Sequence, residues 1–264
     1  MPPDAPTLRV ARRGAVATLT LNRPAVLNAL DQTMVGEFLA AARDVAADAG
    51  VRAVVLAGSG RAFMAGGDIG SFQRAGGDAP AVIGRLIAPF HETLQVLATM
   101  DKPLLASVHG AVAGAGVSLM LAADLAIAAD DIAVTLAYTR LGTSADGGAS
   151  WSLPRVVGLR KAMEIALLSG TYDAAEALRL SLVNRVVPAA DLAAETERLA
   201  DRLADGPTVA LGAMKRLLRG SLDRTLPEQL AAEAESFQAC AATADFREGV
   251  DAFLAKRPAR FAGR

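Results

Sequence analysis

The sequence predicts an α/β fold in which a core of strands and helices is followed by a region of helices only. Three observations support this prediction. Short apolar runs, such as residues 52–57, alternate with segments whose apolar residues recur at helical spacing. Two of these runs lead into glycine-containing loops, and every periodic segment after Pro188 is helical. We therefore expect a core over residues 1–190 and a helical C-terminal region over residues 191–264.

The first part of the core is predicted to be a strand–helix–strand unit. Asn28 or Asp31 can cap its helix, in which Met34 and Phe38 lie on one apolar face. Because strand, helix and strand follow one another, we expect a right-handed crossover. The predicted strands of this unit are residues 8–10, 16–21 and 52–57.

A polar, glycine-rich segment, residues 70–80, is predicted to be the most mobile part of the chain. A second unit of the same design follows it. This unit consists of a helix up to about Met100, a buried strand at residues 103–108, a glycine-rich turn and another helix. Short strands are then expected at residues 124–128 and 133–136.

The rest of the chain predicts helices and one last strand. Asp173 is the expected cap of the helix that follows it, and Pro188 ends the strand. The predicted strand is residues 183–187, and the predicted helices are residues 160–168, 189–204, 208–218, 227–239 and 246–254.

Two loops of similar kind, residues 63–69 and 109–116, each follow a buried strand and contain glycines. Glycine lets a ligand approach bare main chain, and the N–H groups at a helix start point outward with the helix dipole behind them. A single glycine cluster would be better explained by close packing of a helix on a sheet. Two such loops can hold one oxygen between them, so the pair predicts an oxyanion-binding site.

The bulk properties exclude several classes of function. A net charge of -1 gives no electrostatic reason to bind nucleic acid or an anionic membrane. Cys240 is the only cysteine, which excludes an internal disulfide and a cysteine-based zinc site, and no histidine has a metal partner at useful spacing. The apolar stretch 104–123 contains His109 and three glycines, so it does not predict a transmembrane helix. Residues 1–6 lack the pattern of a signal peptide, and a cytoplasmic protein is expected.

Several ordered motifs resemble the enoyl-CoA hydratase/isomerase (crotonase) family over essentially the whole chain. They are residues 21–30, 62–69 and 102–110, Gly114 and Gly116, Asp124, Gly147 and Gly148, and residues 246–253. The resemblance implies a crotonase-like spiral of ββα units with C-terminal helices that build a homotrimer or a dimer of trimers. It also implies an acyl-CoA thioester substrate, with CoA as part of the substrate and no separate cofactor.

The same resemblance implies roles for particular residues. The main-chain N–H groups of Gly67 and Ala115 would bind the thioester carbonyl oxygen, with Ala115 in place of the glycine common there. Lys256, near the C-terminus, would meet the CoA phosphates, in family geometry from a neighbouring subunit. The substrate-binding residues that the resemblance implies are Arg23, Val26, Ala65, Gly66, Asp68, Ile69, Gly114, Tyr138, Phe253 and Lys256.

One departure from the family pattern bears on the reaction. The family's hydratases carry two glutamates, and here Ser118 and Tyr138 stand at those positions. Some family isomerases place an acid where this chain has Asp146, and residues 113–118 and 151–155 look most like the branch that isomerises the aryl epoxide of phenylacetyl-CoA. The resemblance therefore implies that Asp146 is the catalytic acid–base group.

Each of these polar residues also has a structural interpretation. Asp146 can cap the helix that follows it, which its sequence context alone favours, and Asp68 can cap the next segment and brace the first loop. Tyr138 can be a half-buried core residue. Ser118 can bond to the main chain of its own helix.

Three functional hypotheses follow. The first is an enoyl-CoA isomerase that shifts a double bond, or opens an aryl epoxide, with one carboxylate that removes and returns a proton. The alternatives are an enoyl-CoA hydratase or lyase that uses water held by Ser118 and Tyr138, and a catalytically inactive acyl-CoA-binding protein. Fatty acid or phenylacetate metabolism is the expected setting, and the acyl group would be selected by residues 70–100.

Overall fold

The computed structural model describes residues 5–264 of the chain. Residues 1–4 lie outside the described residues. They belong to the stretch 1–6, for which the sequence predicts no signal peptide. The strands are β1 (Leu8–Arg13), β2 (Val16–Leu21), β3 (Ala53–Gly58), β4 (Ala62–Met64), β5 (Leu104–Val108), β6 (Ala111–Ala113), β7 (Leu125–Ala129), β8 (Ala133–Thr135) and β9 (Arg185–Val187). The helices are α1 (Gln32–Ala47), α2 (Ile69–Ala75), α3 (Ala79–Thr99), α4 (Ala115–Ala122), α5 (Ala149–Val157), α6 (Leu159–Leu168), α7 (Ala174–Arg179), α8 (Leu192–Ala204), α9 (Thr208–Gly220), α10 (Leu226–Ala241) and α11 (Ala244–Leu254).

The strands form two sheets that the chain visits in turn. The larger sheet has the order β1-β2-β3-β5-β7-β9, and the smaller has the order β4-β6-β8. Only the β1–β2 pair is antiparallel among the described strands. The chain passes from β3 to β4 and then to helices, and from β5 to β6 and then to α4. This repetition confirms the predicted spiral of ββα units.

Helix α4 explains why the sequence around it is so uniformly apolar. All eight of its residues are buried, so it has no solvent face that would require polar side chains. Close contact with the sheet is possible because Gly116 lacks a side chain, since a Cβ there would lie 2.3 Å from the main-chain oxygen of Met64. The helix is therefore a core element at the centre of the fold.

The structure adds detail to two predictions for the first half of the chain. Residues 70–80 are covered by α2, a short 3₁₀ turn (Gly76–Asp78) and the start of α3, and their mobility stays a prediction. The cap of α1 is Asp31, which accepts a hydrogen bond from the Met34 N–H at 2.8 Å. Asn28 is instead buried, and its amide donates to the main-chain oxygens of Ala62 at 2.8 Å and Phe63 at 3.1 Å.

The later elements agree with the predictions apart from their ends. β9 begins at Arg185, two residues after the predicted start, and α8 begins after a 3₁₀ turn (Ala189–Asp191). Asp173 caps α7, as predicted, by accepting from the Glu176 N–H at 2.9 Å.

The helical region begins with two helices that contact the core. α8 packs on the six-stranded sheet, where the hydroxyls of Ser107 and Thr196 lie 2.8 Å apart. α9 joins the core through Asp124, whose carboxylate meets Lys215 at 2.9 Å and Arg219 at 2.8 Å. Asp124 also accepts from the Leu104 N–H at 2.8 Å, so it braces the start of β5 as well. The division into residues 1–190 and 191–264 stays a prediction.

The last helices leave many large apolar side chains in solvent. Phe253 is 84% exposed and Leu254 is 75% exposed, and Leu226 and Phe237 are also largely uncovered. Residues 5–264 contain neither a helix long and apolar enough to cross a membrane nor a group of three or more His, Cys, Asp and Glu residues that could hold a metal ion.

Candidate active site

A cavity of about 620 Å³ lies where the two glycine-containing loops meet. One part of its wall is apolar and comes from α2, α3 and the loop after β8; these side chains are Ile69, Phe72, Ile83, Leu86, Ile87, Phe90 and Leu141. The rest of the wall carries main-chain groups of both loops and the polar side chains of Tyr138, Arg140, Thr143, Ser144 and Asp146. An apolar cavity with a few polar groups is the usual form of a small-molecule site.

The two loops contact each other through glycines. Gly66 has φ +98° and Gly114 has φ +51°, main-chain conformations that glycine adopts without strain. A Cβ on Gly66 would lie 3.5 Å from the main-chain oxygen of Ala113 and 3.9 Å from the nitrogen of Ala115. The two loops are therefore in van der Waals contact at these glycines, whose positive φ angles shape both turns.

Hydrogen bonding decides which N–H groups of the loops are free. Leu30 donates to the Gly66 oxygen at 2.8 Å and accepts from the Asp68 N–H at 2.9 Å. Neighbouring N–H groups along a strand point to opposite sides, so the Gly67 N–H points away from Leu30. Ala115 is the first residue of α4, where a helix leaves N–H groups without partners. Within residues 5–264, neither the Gly67 nor the Ala115 amide has an acceptor. The cavity thus has two main-chain donors that can bind an oxyanion.

Asp68 and Arg23 brace the first loop from behind. The Asp68 carboxylate accepts from the Ser71 N–H at 3.1 Å and pairs with Arg23 at 3.1 Å. Arg23 also pairs with Asp31 at 3.0 Å, which links the loop to the start of α1. Burial works against the charge of Asp68, but the Arg23 and Ser71 hydrogen bonds outweigh it and hold the pKa of Asp68 below its usual value. The predicted cap and brace are confirmed.

Three side chains form a hydrogen-bonded cluster at the polar end of the cavity. The Tyr138 hydroxyl donates to the Asp146 carboxylate. Ser118 Oγ donates to the main-chain oxygen of Asp146 at 2.9 Å and lies 3.1 Å from the Tyr138 hydroxyl. Burial and the negative charge of Asp146 raise the pKa of Tyr138, which keeps the phenol protonated. We call Ser118, Tyr138 and Asp146 the acid cluster.

This arrangement decides between the interpretations left open by the sequence. The helix that follows Asp146, α5, has Gly148 as its cap residue and no side-chain cap, so Asp146 does not cap it. Ser118 bonds to Asp146 rather than to the main chain of its own helix. Tyr138 does pack against the hydrophobic core, and its hydroxyl nevertheless takes part in the acid cluster.

The structure brings eight of the predicted site residues to the cavity wall; they are Ala65, Gly66, Gly67, Ile69, Gly114, Ala115, Tyr138 and Asp146. The side chains of Arg23 and Asp68 are held in the brace, and Val26 is exposed. Phe253 lines a separate cavity of about 450 Å³ among the C-terminal helices, and Lys256 is exposed just after α11. Their predicted contacts with substrate remain predictions.

Leu86 and Phe90 line the cavity from α3, within the segment 70–100 that was expected to select the acyl group, whereas one contact of the site was missed. Their neighbour His91 accepts a hydrogen bond from the Gly147 N–H at 3.1 Å. The helical spacing of α3 was the available signal for Leu86 and Phe90. No local pattern predicts the His91 contact, because 56 residues separate His91 from Gly147.

Comparison with known proteins identifies the family of the chain that forms this cavity. The family model for enoyl-CoA hydratase/isomerase matches residues 11–264. The chain belongs to the enoyl-CoA hydratase/isomerase family. Membership in this family implies an acyl-CoA thioester substrate, whose carbonyl oxygen is the kind of group that the two free amides can bind.

Relatives within the enoyl-CoA hydratase/isomerase family include proteins named as hydratases and a protein named as an isomerase. A probable enoyl-CoA hydratase of Rhodobacter capsulatus is 42% identical, with 98% of each chain covered. A 1,2-epoxyphenylacetyl-CoA isomerase of Escherichia coli is 38% identical, with 94% of this chain and 95% of the relative covered. The solved structure of an enoyl-CoA hydratase from Polaromonas sp. JS666 has a TM-score of 0.92 at 33% identity, over 96% of this chain and 99% of that one. The fold is therefore the crotonase fold.

Proposed function

We propose that the protein is an enoyl-CoA isomerase that shifts a double bond, or opens an aryl epoxide, in a CoA thioester. The observation that carries this proposal is the acid cluster. Asp146 is the one carboxylate on the wall of the cavity that also exposes the Gly67 and Ala115 amides, among the residues described. A double-bond shift removes a proton from one carbon and returns one to another, so a single carboxylate suffices.

The main-chain donors support the first step. The thioester carbonyl oxygen accepts hydrogen bonds from the Gly67 and Ala115 N–H groups, which stabilise the negative charge that forms on it. One such donor contributes about 3 kcal/mol in enzymes where it has been removed. Asp146 takes the α-proton, and the electrons of the C–H bond form the enolate.

The second step returns the proton. In a 3-enoyl-CoA the enolate is conjugated with the double bond, so negative charge reaches the γ-carbon. The Asp146 carboxylic acid protonates that carbon, the double bond moves to the α,β position, and the carboxylate is restored. The reaction needs no redox change, and we propose that it uses no cofactor besides the CoA of the substrate.

Tyr138 and Ser118 orient the carboxylate in this scheme. The raised pKa of Tyr138 keeps its hydroxyl protonated, so it can donate to Asp146 Oδ1 throughout the cycle. The other carboxylate oxygen is then available to the substrate. Ser118 fixes the main chain of Asp146 from α4. Neither hydroxyl has a proton affinity suited to activating water near neutral pH.

The epoxide reaction is a variant of the same machinery. It is supported by the 38% identity to an epoxyphenylacetyl-CoA isomerase and by Phe72 and Phe90 in the cavity wall, which offer aromatic surface to a ring. Enolate stabilisation by Gly67 and Ala115 would again be the common element. Fatty acid and phenylacetate metabolism are the two settings that would supply such thioesters.

A hydratase is the second candidate, favoured by the 42% identity to a probable enoyl-CoA hydratase. In that reaction the acid cluster would hold a water molecule for addition to the double bond. Hydration adds a base-activated water to one carbon and a proton to its neighbour, which is most easily done with two carboxyl groups. Ser118 and Tyr138 supply hydroxyls at those positions, and for this reason we rank hydration second.

We further propose that the chain works as a homotrimer or a dimer of trimers. The exposed apolar side chains of α9–α11, such as Leu218, Phe237 and Phe253, are surface that a neighbouring copy would cover. In such an assembly Lys256 would reach the CoA phosphates of the next subunit. Sedimentation of the wild type and of Phe253→Lys tests this proposal: a trimer or hexamer that the substitution dissociates supports it, and a wild-type monomer contradicts it.

The experiment that separates the functions uses a panel of CoA thioesters. The protein is incubated with 3-enoyl-CoA substrates, an aryl-epoxide CoA and crotonyl-CoA, and the products are identified by mass and ultraviolet absorbance. Isomerisation leaves the mass unchanged, whereas hydration adds one water. We expect mass-neutral products from the first two classes and little hydration of crotonyl-CoA. Hydration of crotonyl-CoA at about 10 per second, an ordinary enzyme rate, would contradict the proposal, and tight binding without turnover would indicate an inactive acyl-CoA-binding protein.

A further inference from the structure

We infer that His91 is a positioning residue, which holds the reactive carboxylate in place by accepting a hydrogen bond from the main chain next to it. This inference rests on the proposed function, because it takes Asp146 as the group that transfers the proton. His91 lies on α3 and is not part of the cavity wall in the described chain, so it would act through the Asp146 loop (residues 145–148) rather than on the substrate.

The contact joins two elements that are far apart in sequence. The Gly147 N–H donates to His91 Nε2 at 3.1 Å, and Gly147 is buried. An N–H donor needs an acceptor nitrogen, so Nε2 carries no proton and the neutral ring has its hydrogen on Nδ1. The geometry therefore assigns one tautomer to His91.

The Asp146 loop depends on outside contacts for its position. Gly147 has φ +58° and Gly148 has φ +76°, and these glycines give the loop many alternative conformations. No side chain caps the start of α5, and the local bonds there are main-chain ones, such as the Ala149 N–H to the Asp146 oxygen at 3.2 Å. The conformation must be selected by the elements around it.

Three elements supply those contacts, and each holds a different group. Ser118 of α4 binds the main-chain oxygen of Asp146, and Tyr138 binds its carboxylate. His91 of α3 binds the amide that follows Asp146. It is therefore the only one of these three side chains that fixes the main chain on the C-terminal side of the carboxylate.

Packing makes the loop sensitive to this contact. A Cβ on Gly147 would lie 2.8 Å from the Phe90 ring and 2.9 Å from Ser118 Cβ, so the main chain lies directly on α3 and α4. If the His91 acceptor is lost, the buried Gly147 N–H has no partner and the loop moves to find one. Misplacing a catalytic group by about 1 Å can lower a rate by about 100-fold.

The test compares three substitutions of His91. Gln places its amide oxygen about as far along the side chain as Nε2 and can accept from Gly147, whereas the amide oxygen of Asn falls short and Leu has no acceptor. We measure kcat and KM for a 3-enoyl-CoA, together with deuterium uptake at its α-carbon in D₂O. We expect kcat to fall by roughly 10- to 100-fold in His91→Leu and His91→Asn, with KM little changed, and to recover in His91→Gln.

Two outcomes would overturn the inference. One is full kcat in His91→Asn or His91→Leu; the other is an equal loss in Gln and Asn variants that are both folded by circular dichroism. If His91→Leu does not fold, the Gln–Asn pair decides alone, because both side chains are amides that differ in reach. Nitrogen-15 chemical shifts of the His91 ring in the wild type give a second check: a proton on Nε2 at neutral pH contradicts the assigned tautomer.

Asp146→Asn separates a failure of this inference from a failure of the proposed function. If Asp146→Asn is inactive while His91→Leu keeps its full kcat, only the positioning role is wrong. If Asp146→Asn keeps its turnover, the proposed function fails, and the inference fails with it because His91 then positions no proton-transfer group.

Discussion

The two sides of the cavity are built from different parts of the chain. On one side, the Gly67 and Ala115 amides are main-chain groups, held by a strand bridge and by a helix start. On the other side, the acid cluster consists of the side chains of Ser118, Tyr138 and Asp146, held by hydrogen bonds to one another. Main-chain donors survive most side-chain substitutions, whereas the acid cluster exists only with these residues.

The two sides would therefore have different roles. The main-chain side would serve every acyl-CoA reaction that the site could catalyse, whereas the acid cluster would select one reaction. Binding a thioester oxygen requires only the main-chain side. The choice between moving a proton and adding water depends on how many carboxyl groups line the other side. The predictions below test the two sides separately, from the largest expected effect to the smallest.

Replacing Asp146 with Asn should have the largest effect. The amide oxygen can still accept from Tyr138, and α5 does not use Asp146 as a cap, so the fold should be retained. The turnover of a 3-enoyl-CoA should fall by about 100- to 10,000-fold, the usual contribution of a positioned acid–base group. Calorimetric titration with an unreactive acyl-CoA should give unchanged affinity, and lost affinity would place Asp146 in ground-state binding instead.

The main-chain side is tested by Ala115→Pro. Ala115 is the first residue of α4, a position where proline fits a helix, and proline removes the N–H while keeping the helix start. We expect kcat to fall by about 100- to 1,000-fold, as for one lost oxyanion donor. Ala115→Gly is the matched control, since it keeps the N–H and should keep most of the rate. Similar rates in the Pro and Gly variants would show that this amide does not bind the oxyanion.

Tyr138→Phe should have a smaller effect on the rate. The ring and its packing are kept, and the hydrogen bond to the Asp146 carboxylate is lost. We expect kcat to fall by about 10-fold, close to the effect of one hydrogen bond to a charged group. Ser118→Ala, which removes a contact to the main-chain oxygen of Asp146, should lower kcat less. A loss as large as that of Asp146→Asn would mean that Tyr138 itself transfers a proton.

Tyr138 should also affect stability in alkali. Its pKa is raised in the folded protein by burial and by Asp146, so the unfolded chain ionises first, near pH 10. The stabilising effect is therefore complete below about pH 10 and is lost as the pH rises from there towards the folded-state pKa. Denaturant unfolding should show a shallower decline in stability above pH 10 for Tyr138→Phe than for the wild type.

The comparison with Tyr138→Phe is needed because two buried lysines change the pH dependence of stability in the direction opposite to Tyr138. Burial lowers the pKa of Lys102 and Lys215, so their contribution to stability rises as the pH approaches their unfolded-state pKa, about 10.5, and levels off above it. Both lysines are present in wild type and variant, and their effect cancels in the difference. Parallel pH dependences of the two proteins would contradict the raised pKa of Tyr138.

The main-chain side could be predicted from the sequence because its signals are local. A buried strand and glycines lie within a few residues of one another in both loops, a predicted helix start follows the second loop, and the resemblance then pointed to the Gly67 and Ala115 amides. The same locality explains the correct prediction of Asp68 as a cap. It also explains an omission: the glycines of residues 70–80 hid α2, which starts directly at the Asp68 cap.

The acid cluster could not be assembled from the sequence by the same means. Ser118 is 20 residues from Tyr138 and 28 from Asp146, and His91 is 56 from Gly147, so their contacts depend on how α3, α4 and the loop after β8 pack. Resemblance to a family pointed to Asp146 as a reactive acid. The sequence contained no sign that Tyr138 and Ser118 bind it.

The most direct test of the account follows one proton through the reaction. A 3-enoyl-CoA that carries deuterium at the α-carbon is isomerised in ordinary water, and the position of the label in the product is read by mass spectrometry and NMR. If Asp146 removes and returns the same proton, part of the deuterium appears at the γ-carbon, and Asp146→Asn abolishes both turnover and transfer. A product with one added water as the main species, or Asp146→Asn at near-full turnover, would contradict the account.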